Sequence, residues 1–174
     1  MVAAGADDMT RSWTEVQALG TRAAAGAGVP AAQALAFGAM LARHLADGGA
    51  EAPLQSALDR PERIVALAQR VEEVVEAASV SPRPVKTLEP DTDQRALLVS
   101  WLNALPCRTA VDVSGDKVLA ALDMSAPSLH GRPERLTVDA AFEELLKTLA
   151  ARTYVADSEA SRALGAGAGL MDND

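Results

Sequence analysis

A chain of 174 residues with 24 acidic and 16 basic side chains carries a formal net charge of -8, which opposes a nucleic-acid surface, because phosphate binding rests on clustered Lys and Arg. Apolar residues make up 49% of the chain but include only two Phe, two Trp and one Tyr, so its core is expected to be built from Leu, Val and Ala. No uncharged apolar stretch approaches the ~18 residues of a membrane-spanning helix, and the single Cys107 excludes an intramolecular disulfide.

A lone cysteine fits a reducing compartment. Residues Met1 to Asp8 carry two acids and no basic region ahead of an apolar stretch, so no secretory leader is expected and the cytoplasm is the expected location. The densest arginine stretch, Asp59-Arg60-Pro61-Glu62-Arg63, is interleaved with acids and reads as a solvated helix start.

In chain order, Ser12-Trp13-Thr14-Glu15 has the form of a capping box, which predicts a helix from about Trp13 to the Gly26-Ala27-Gly28 stop. Pro30 suits the first turn of a second helix, whose buried stripe is Phe37, Leu41 and Leu45 and where Ala34 and Gly38 permit close approach. Gly48-Gly49 ends it, and the two helices are expected to form an antiparallel hairpin. Asp59, with Pro61 and Glu62 behind it, opens a helix whose apolar positions Ile64, Leu67, Ala68, Val71, Val74, Val75 and Ala78 follow helical spacing. Ser81-Pro82-Arg83-Pro84 denies helix and marks the main internal boundary.

A further helix is predicted from about Thr92 to Leu105, with Leu97, Leu98, Trp101, Leu102 and Leu105 on one face and Pro106 as its stop. Thr109 to Val113 and Val118 to Leu122 flank Ser114-Gly115-Asp116-Lys117, which has hairpin-turn chemistry. Glu134 to Val138 is expected to add a third strand to that hairpin. Asp139 then caps a last helix with the stripe Phe142, Leu145, Leu146 and Leu149.

The expected fold is therefore α+β: a mostly helical N-terminal half, a helical hairpin plus further helices, packed with a small antiparallel sheet and a C-terminal helix. Residues 1–11 are expected to be a flexible N-terminus, 12–156 a single domain (helical part 12–80, hairpin, sheet and last helix 107–153) and 157–174 a Gly-Ala-rich tail.

Candidate chemistry is sparse. Arg108 beside Cys107 offers a charge that can favour a thiolate, yet a nucleophile needs a base, and only His44 and His130 exist. Without one, a lone cysteine is a small buried hydrophobe. His130 lies in the loop Pro127 to Pro133, where Arg132 can clamp a carboxylate next to it. His44 precedes a glycine stop, where its interaction with the carbonyl end of the helix accounts for it. No ligand pair at helical spacing and no C-x-x-C supports a metal site. Asp112, Asp116 and Asp123 do not match a calcium loop and read as a solvated face. No cofactor is implied.

The chain closes on Gly165-Ala166-Gly167-Ala168-Gly169-Leu170-Met171-Asp172-Asn173-Asp174. Glycine-rich backbone can cradle an anion, but a phosphate loop needs a following helix and a Lys or Ser/Thr, and neither follows Gly169. Thr21 to Pro30 near the start, and Leu149 to Arg162 followed by the Gly-Ala tail, resemble a bacterial domain-of-unknown-function family with a C-terminal ARTYV-x-x-SEASR…GAGAGL-x-DND signature. The resemblance implies that the tail is a structured or functional segment; it carries no activity and no catalytic residue. The chain departs from that family's basic and aromatic residues around Ala25 and Ala31-Ala32. Residues Glu15 to Leu45 are also similar to the opening helices of the malate/L-lactate dehydrogenase family that lacks a Rossmann fold, which implies a truncated relative of a 2-hydroxy-acid dehydrogenase helical region.

These features together make a small cytosolic binding or accessory protein the leading expectation, with its tail docking on its own domain, a protein partner or a second copy. Arg152, Tyr154, Glu159, Ser161 and Arg162 would order the tail, Gly165, Gly167 and Gly169 would shape it, and Asp172 and Asp174 would present an acidic end. The competing expectation is a small enzyme acting on an anionic metabolite, with Arg132, Arg152 or Arg162 as clamps and His130 as acid or base. Neither involves nucleic acid or a membrane.

Overall fold

A computed structural model of the chain describes residues 9–80, 85–92 and 94–153. Strand β1 (Met9–Ser12) leads directly into helix α1 (Trp13–Gly26). Ser12 caps α1 as its sequence predicts: its hydroxyl accepts from the Glu15 backbone N–H, and the Glu15 carboxylate accepts from the Ser12 N–H at 2.8 Å. Gly28, at φ 101°, turns the chain into α2 (Ala31–Ala46), and Gly48, at φ 74°, turns it out again. Then follow α3 (Ala52–Leu58), α4 (Pro61–Val80), β2 (Val85–Leu88), α5 (Arg95–Asn103), β3 (Cys107–Ser114), β4 (Lys117–Pro127), β5 (Arg135–Val138) and α6 (Ala140–Ala151). Asp139 caps α6 by accepting from the N–H groups of Ala141 and Phe142.

The α+β class expected from the sequence is the class observed. Within it, the strands pair differently from expectation. β3 and β4 form the hairpin across the two-residue turn Gly115-Asp116, but the third strand of that sheet is β2, giving the order β2-β4-β3. β5 instead pairs antiparallel with β1, with Met9 opposite Val138 and Ser12 opposite Arg135. Residues 9–11, expected in a flexible N-terminus, thus belong to a sheet. Helix α3 was not foreseen; Asp59, expected to open α4, is instead the C-cap of α3. The Ser81-Pro84 boundary lies outside the described residues. Among the described residues no helix is long and apolar enough to cross a membrane.

Packing follows from the aromatic-poor composition. With alanine and glycine at the contacts, helices sit close together, and α1 packs most extensively of the helices, against α2 on one side and α6 on another. Ala23, Ala24, Ala34 and Ala42 are buried with Phe37, Met40, Leu41, Leu54, Ile64, Leu67 and Phe142. Trp101 meets Phe37 edge-on at 6.4 Å between centroids. Two glycines set the spacing. A Cβ at Gly38 would collide with Thr21 Oγ1 and the backbone of Gln17, and one at Gly26 would collide with the Leu149 carbonyl.

In an open helix, Gly→Ala stabilises by about 1 kcal/mol. Here the collision is with backbone, so Gly38→Ala and Gly26→Ala are each expected to lower the free energy of unfolding by about 2 kcal/mol, the usual cost of overpacking. Urea denaturation measures the sign; a stabilising outcome would mean the helices are not in tight contact at these points.

Candidate functional site

Two clefts flank the N-terminal turn of α1. The first has a volume of about 410 Å³ and lies between α1 and α6, with Val16, Leu19, Val138 and Leu146 as its apolar floor. Its innermost charged groups are satisfied by one another. Glu143, with only 2% of its side chain exposed, accepts from Arg11 Nε at 3.1 Å and Nη2 at 2.7 Å, and Lys147 Nζ sits 2.8 Å from the same carboxylate. The Arg11 hydrogen bonds hold the Glu143 carboxyl below the usual range against the opposing effect of burial, with Lys147 adding to the shift.

The second cleft, also about 410 Å³, is where β4, the loop after it, α1, α2 and the end of α5 converge, and its lining is different in character. Trp13, Gln17, Arg43, Asn103, Ser128, His130 and Arg132 line it, together with small apolar residues and prolines. His130 and Arg132, singled out in the sequence, are thus brought together. Arg132 is exposed and lays its guanidinium 5.7 Å from the Trp13 ring centroid, while Arg43 lies 5.5 Å from the same ring. Such cation–π contacts hold an arginine in place without neutralising it.

Arg43 shapes the cleft rather than supplying it with free charge. Its Nε donates to Asp47 at 3.0 Å, its Nη2 pairs with the same carboxylate, and its Nη1 donates to the Gly131 carbonyl at 2.7 Å. The His130 loop is therefore pinned to α2 at Gly131. Its other end is fixed where Ser128 N–H donates to the Pro106 carbonyl at 3.1 Å and the His130 N–H donates to Ser128 Oγ at 3.2 Å.

Hydrogen bonding leaves the cleft rich in donors. The Trp13 indole N–H can only donate, so its partner at 3.2 Å must be the Gln17 carbonyl oxygen, and the Gln17 NH₂ is the end left to the cleft. Asn103 is used in the same sense, its side-chain oxygen accepting from Thr109 at 3.5 Å. Ser128 Oγ serves as an acceptor and keeps its proton to give. Among the described residues no carboxylate lines the cleft.

The remaining candidates separate from this site. Cys107 is buried, and burial pushes its thiol above its ordinary value, with Asp123 acting in the same direction. The expected help from Arg108 is not what governs it, because Arg108 is exposed and stands opposite Asp123 in the β3–β4 register. His44 is buried and bridges two elements: Nε2 lies 2.8 Å from the Ala50 carbonyl and Nδ1 lies 2.9 Å from Ser100 Oγ. A carbonyl accepts only, so Nε2 carries a proton. The ring locks the end of α2 to α5, and a Cβ at Gly49 would strike it. Arg152 is exposed at the C-cap of α6. Asp116 pairs with Arg95 at 2.9 Å and Asp123 accepts from Ser125, so the three hairpin aspartates do not converge. Among the described residues no three His, Cys, Asp or Glu side chains gather as metal ligands. Tyr154, Glu159, Ser161, Arg162, Gly165, Gly167, Gly169, Asp172 and Asp174 lie outside the described residues.

Trp13, Gln17 and Arg43 were missed by sequence reasoning, which saw only a helix start and a helix interior. A buried arginine on the last turn of a largely apolar helix was the available signal. No family model, curated protein or solved structure matches the chain.

The depressed Glu143 carboxyl has a defined consequence for acid stability. A carboxyl whose folded value lies below its unfolded one stabilises the fold above the usual carboxylate range, and that contribution is lost as pH falls through the depressed value. Melting temperature is expected to drop as pH is lowered through and below the usual carboxylate range, and Glu143→Gln to flatten that part of the profile. Parallel pH profiles for the two proteins would contradict this role.

Proposed function

We propose that this chain is a binding protein for a small anionic ligand, one bearing a carboxylate or phosphate group, held in the Trp13–Arg132 cleft. The single observation that carries the reading is the charge of the cleft lining: Arg132, the Gln17 amide, the Ser128 hydroxyl and His130 face it and, among the described residues, no carboxylate does. In a chain of net charge -8, a pocket kept free of acids concentrates the local positive potential where an anion can dock. Trp13 adds a flat apolar wall, already flanked by two guanidinium groups. A planar carboxylate against Arg132 would gain a two-point, charge-assisted contact.

Binding is favoured over catalysis by the company His130 keeps. A catalytic imidazole is ordinarily oriented by an acidic neighbour and set against a nucleophile or substrate proton. Among the described residues the cleft offers no such acid, and the one thiol in the chain is buried, with its proton held more tightly by that burial. A cytosolic setting is supported by the presence of a single, buried cysteine.

A second reading is favoured by charge complementarity: the occupant is the chain's own acidic tail, through Asp172 and Asp174. The two readings share the cleft and differ in who fills it.

Titration with inorganic phosphate, succinate and citrate, followed by calorimetry, tests the proposal. At least one of these probes is expected to bind, with Arg132→Ala weakening it at least tenfold and Arg60→Ala, on an exposed loop between α3 and α4, leaving it unchanged. Failure of all three to bind, or equal losses in both variants, would overturn the reading. Removing residues 165–174 is expected to tighten anion binding if the tail competes for the cleft; an unchanged affinity rejects the tail as occupant.

A further inference from the structure

Strand β3 is an open edge. In the order β2-β4-β3 it pairs with β4 on one side and, among the described residues, with no strand on the other, along eight residues from Cys107 to Ser114. Edge strands that are meant to stay single are short, carry proline or charged side chains, lysine above all, or aim a charge into the core face; the two charges of β3, Arg108 and Asp112, are of opposite sign. β3 has no proline and no lysine, and its one bulge lies at the first step, between Cys107 and Arg108.

Register determines which backbone groups are free. The two-residue turn makes Ser114 and Lys117 a hydrogen-bonded pair, and the alternation of antiparallel pairing then directs the backbone of Asp112, Ala110 and Arg108 toward β4. Thr109, Val111 and Val113 therefore present their N–H and C=O groups to the open edge. The side chains alternate independently: Arg108, Ala110 and Asp112 are exposed on the outer face, while Thr109 and Val111 share the inner face with buried Val118, Ala120 and Leu122 of β4. Val113, also inward by register, is still 47% exposed at the edge.

We propose that β3 pairs antiparallel with β3 of a second copy of this chain, about a two-fold axis at Ala110, joining two three-stranded sheets into one of six strands. In this register Thr109 meets Val111 of the second copy and Val111 meets Thr109, so the edge-facing backbone groups pair with each other. Arg108 then stands opposite Asp112 of the second copy, and Asp112 opposite its Arg108, both as non-hydrogen-bonded pairs, where side chains are closest. Neighbouring registers lack this match. Centring on Val111 sets Asp112 against Ala110, and centring on Asp112 sets two carboxylates face to face. The self-complementarity of one arginine and one aspartate, placed symmetrically about an alanine on an unpaired edge, identifies a second copy as the occupant and needs no other protein. This proposal does not depend on the anion-binding reading.

Sedimentation velocity on the full chain over a range of concentration measures the association. The wild type is expected to form dimers reversibly. Arg108→Asp and Asp112→Arg are each expected to weaken association at least tenfold, since each sets like charges across the axis, and the double variant is expected to regain association to within about threefold of the wild type by restoring the pairs in reverse. Circular dichroism of each variant establishes that the fold is retained. In a Cys107→Ser background, Ala110→Cys is expected to give an oxidised dimer, because Ala110 alone meets itself on the axis. A wild type that is monomeric at every concentration, charge variants that do not differ from it, a double variant that stays monomeric, or an Ala110→Cys protein that does not cross-link would overturn the proposal.

Discussion

The architecture depends on how closely α1 can approach two neighbours at once. A core with few aromatic residues gains stability by excluding water between small side chains, and small side chains meet only when helix backbones are near one another. Gly38 removes the obstacle between α2 and α1, and Gly26 removes it between α1 and α6. The two contacts sit at different points along α1, so displacing either one moves the helix that carries Trp13. The position of the Trp13 cleft is thus set by packing some distance from it.

The same helix start organises both clefts through opposite electrostatic arrangements. Beside α6, Arg11, Glu143 and Lys147 neutralise one another and leave an apolar floor. On the other side of Trp13, the carboxylate that balances Arg43 is Asp47, which lies outside the cleft lining, and Arg132 lies over the Trp13 ring. A polar cleft acquires a sign when its counter-ions are placed behind the wall rather than in it. That placement distinguishes the two clefts, which are otherwise of similar size.

Local chemistry made much of the fold legible. The Ser12–Glu15 box, the Asp139 cap, the Phe37–Leu41 stripe and the Gly115 turn are each specified within a few residues, and each is found where its residues place it. Pairing across the chain is another matter. β1 and β2 are four residues each, too short for an alternation that stands out, and nothing within Glu134 to Val138 says whether its partner is the nearby hairpin or the distant Met9. Asp59 has every mark of a helix opener, yet a short upstream helix claims it as a terminus. Of the site, His130 and Arg132 stood out because polar side chains in a proline-flanked loop have no core to serve. Arg43 was hidden because its partner carbonyl is 88 residues away, a distance over which only the folded chain conveys information.

The pairing of β1 with β5 has a bearing on how this molecule is made. Residues 9–12 leave the ribosome well before their only described strand partner, residues 135–138, and α1 must also wait for α6 to cover its second face. Pairing of α1 with α2 covers one face of α1, and the flank that meets α6 stays unsheltered until α6 has been made. Contacts of such long sequence separation slow folding and prolong the interval in which that flank is open to aggregation. This unit should therefore commit to its native state only once α6 has emerged, and its yield on expression should respond to the supply of chaperones.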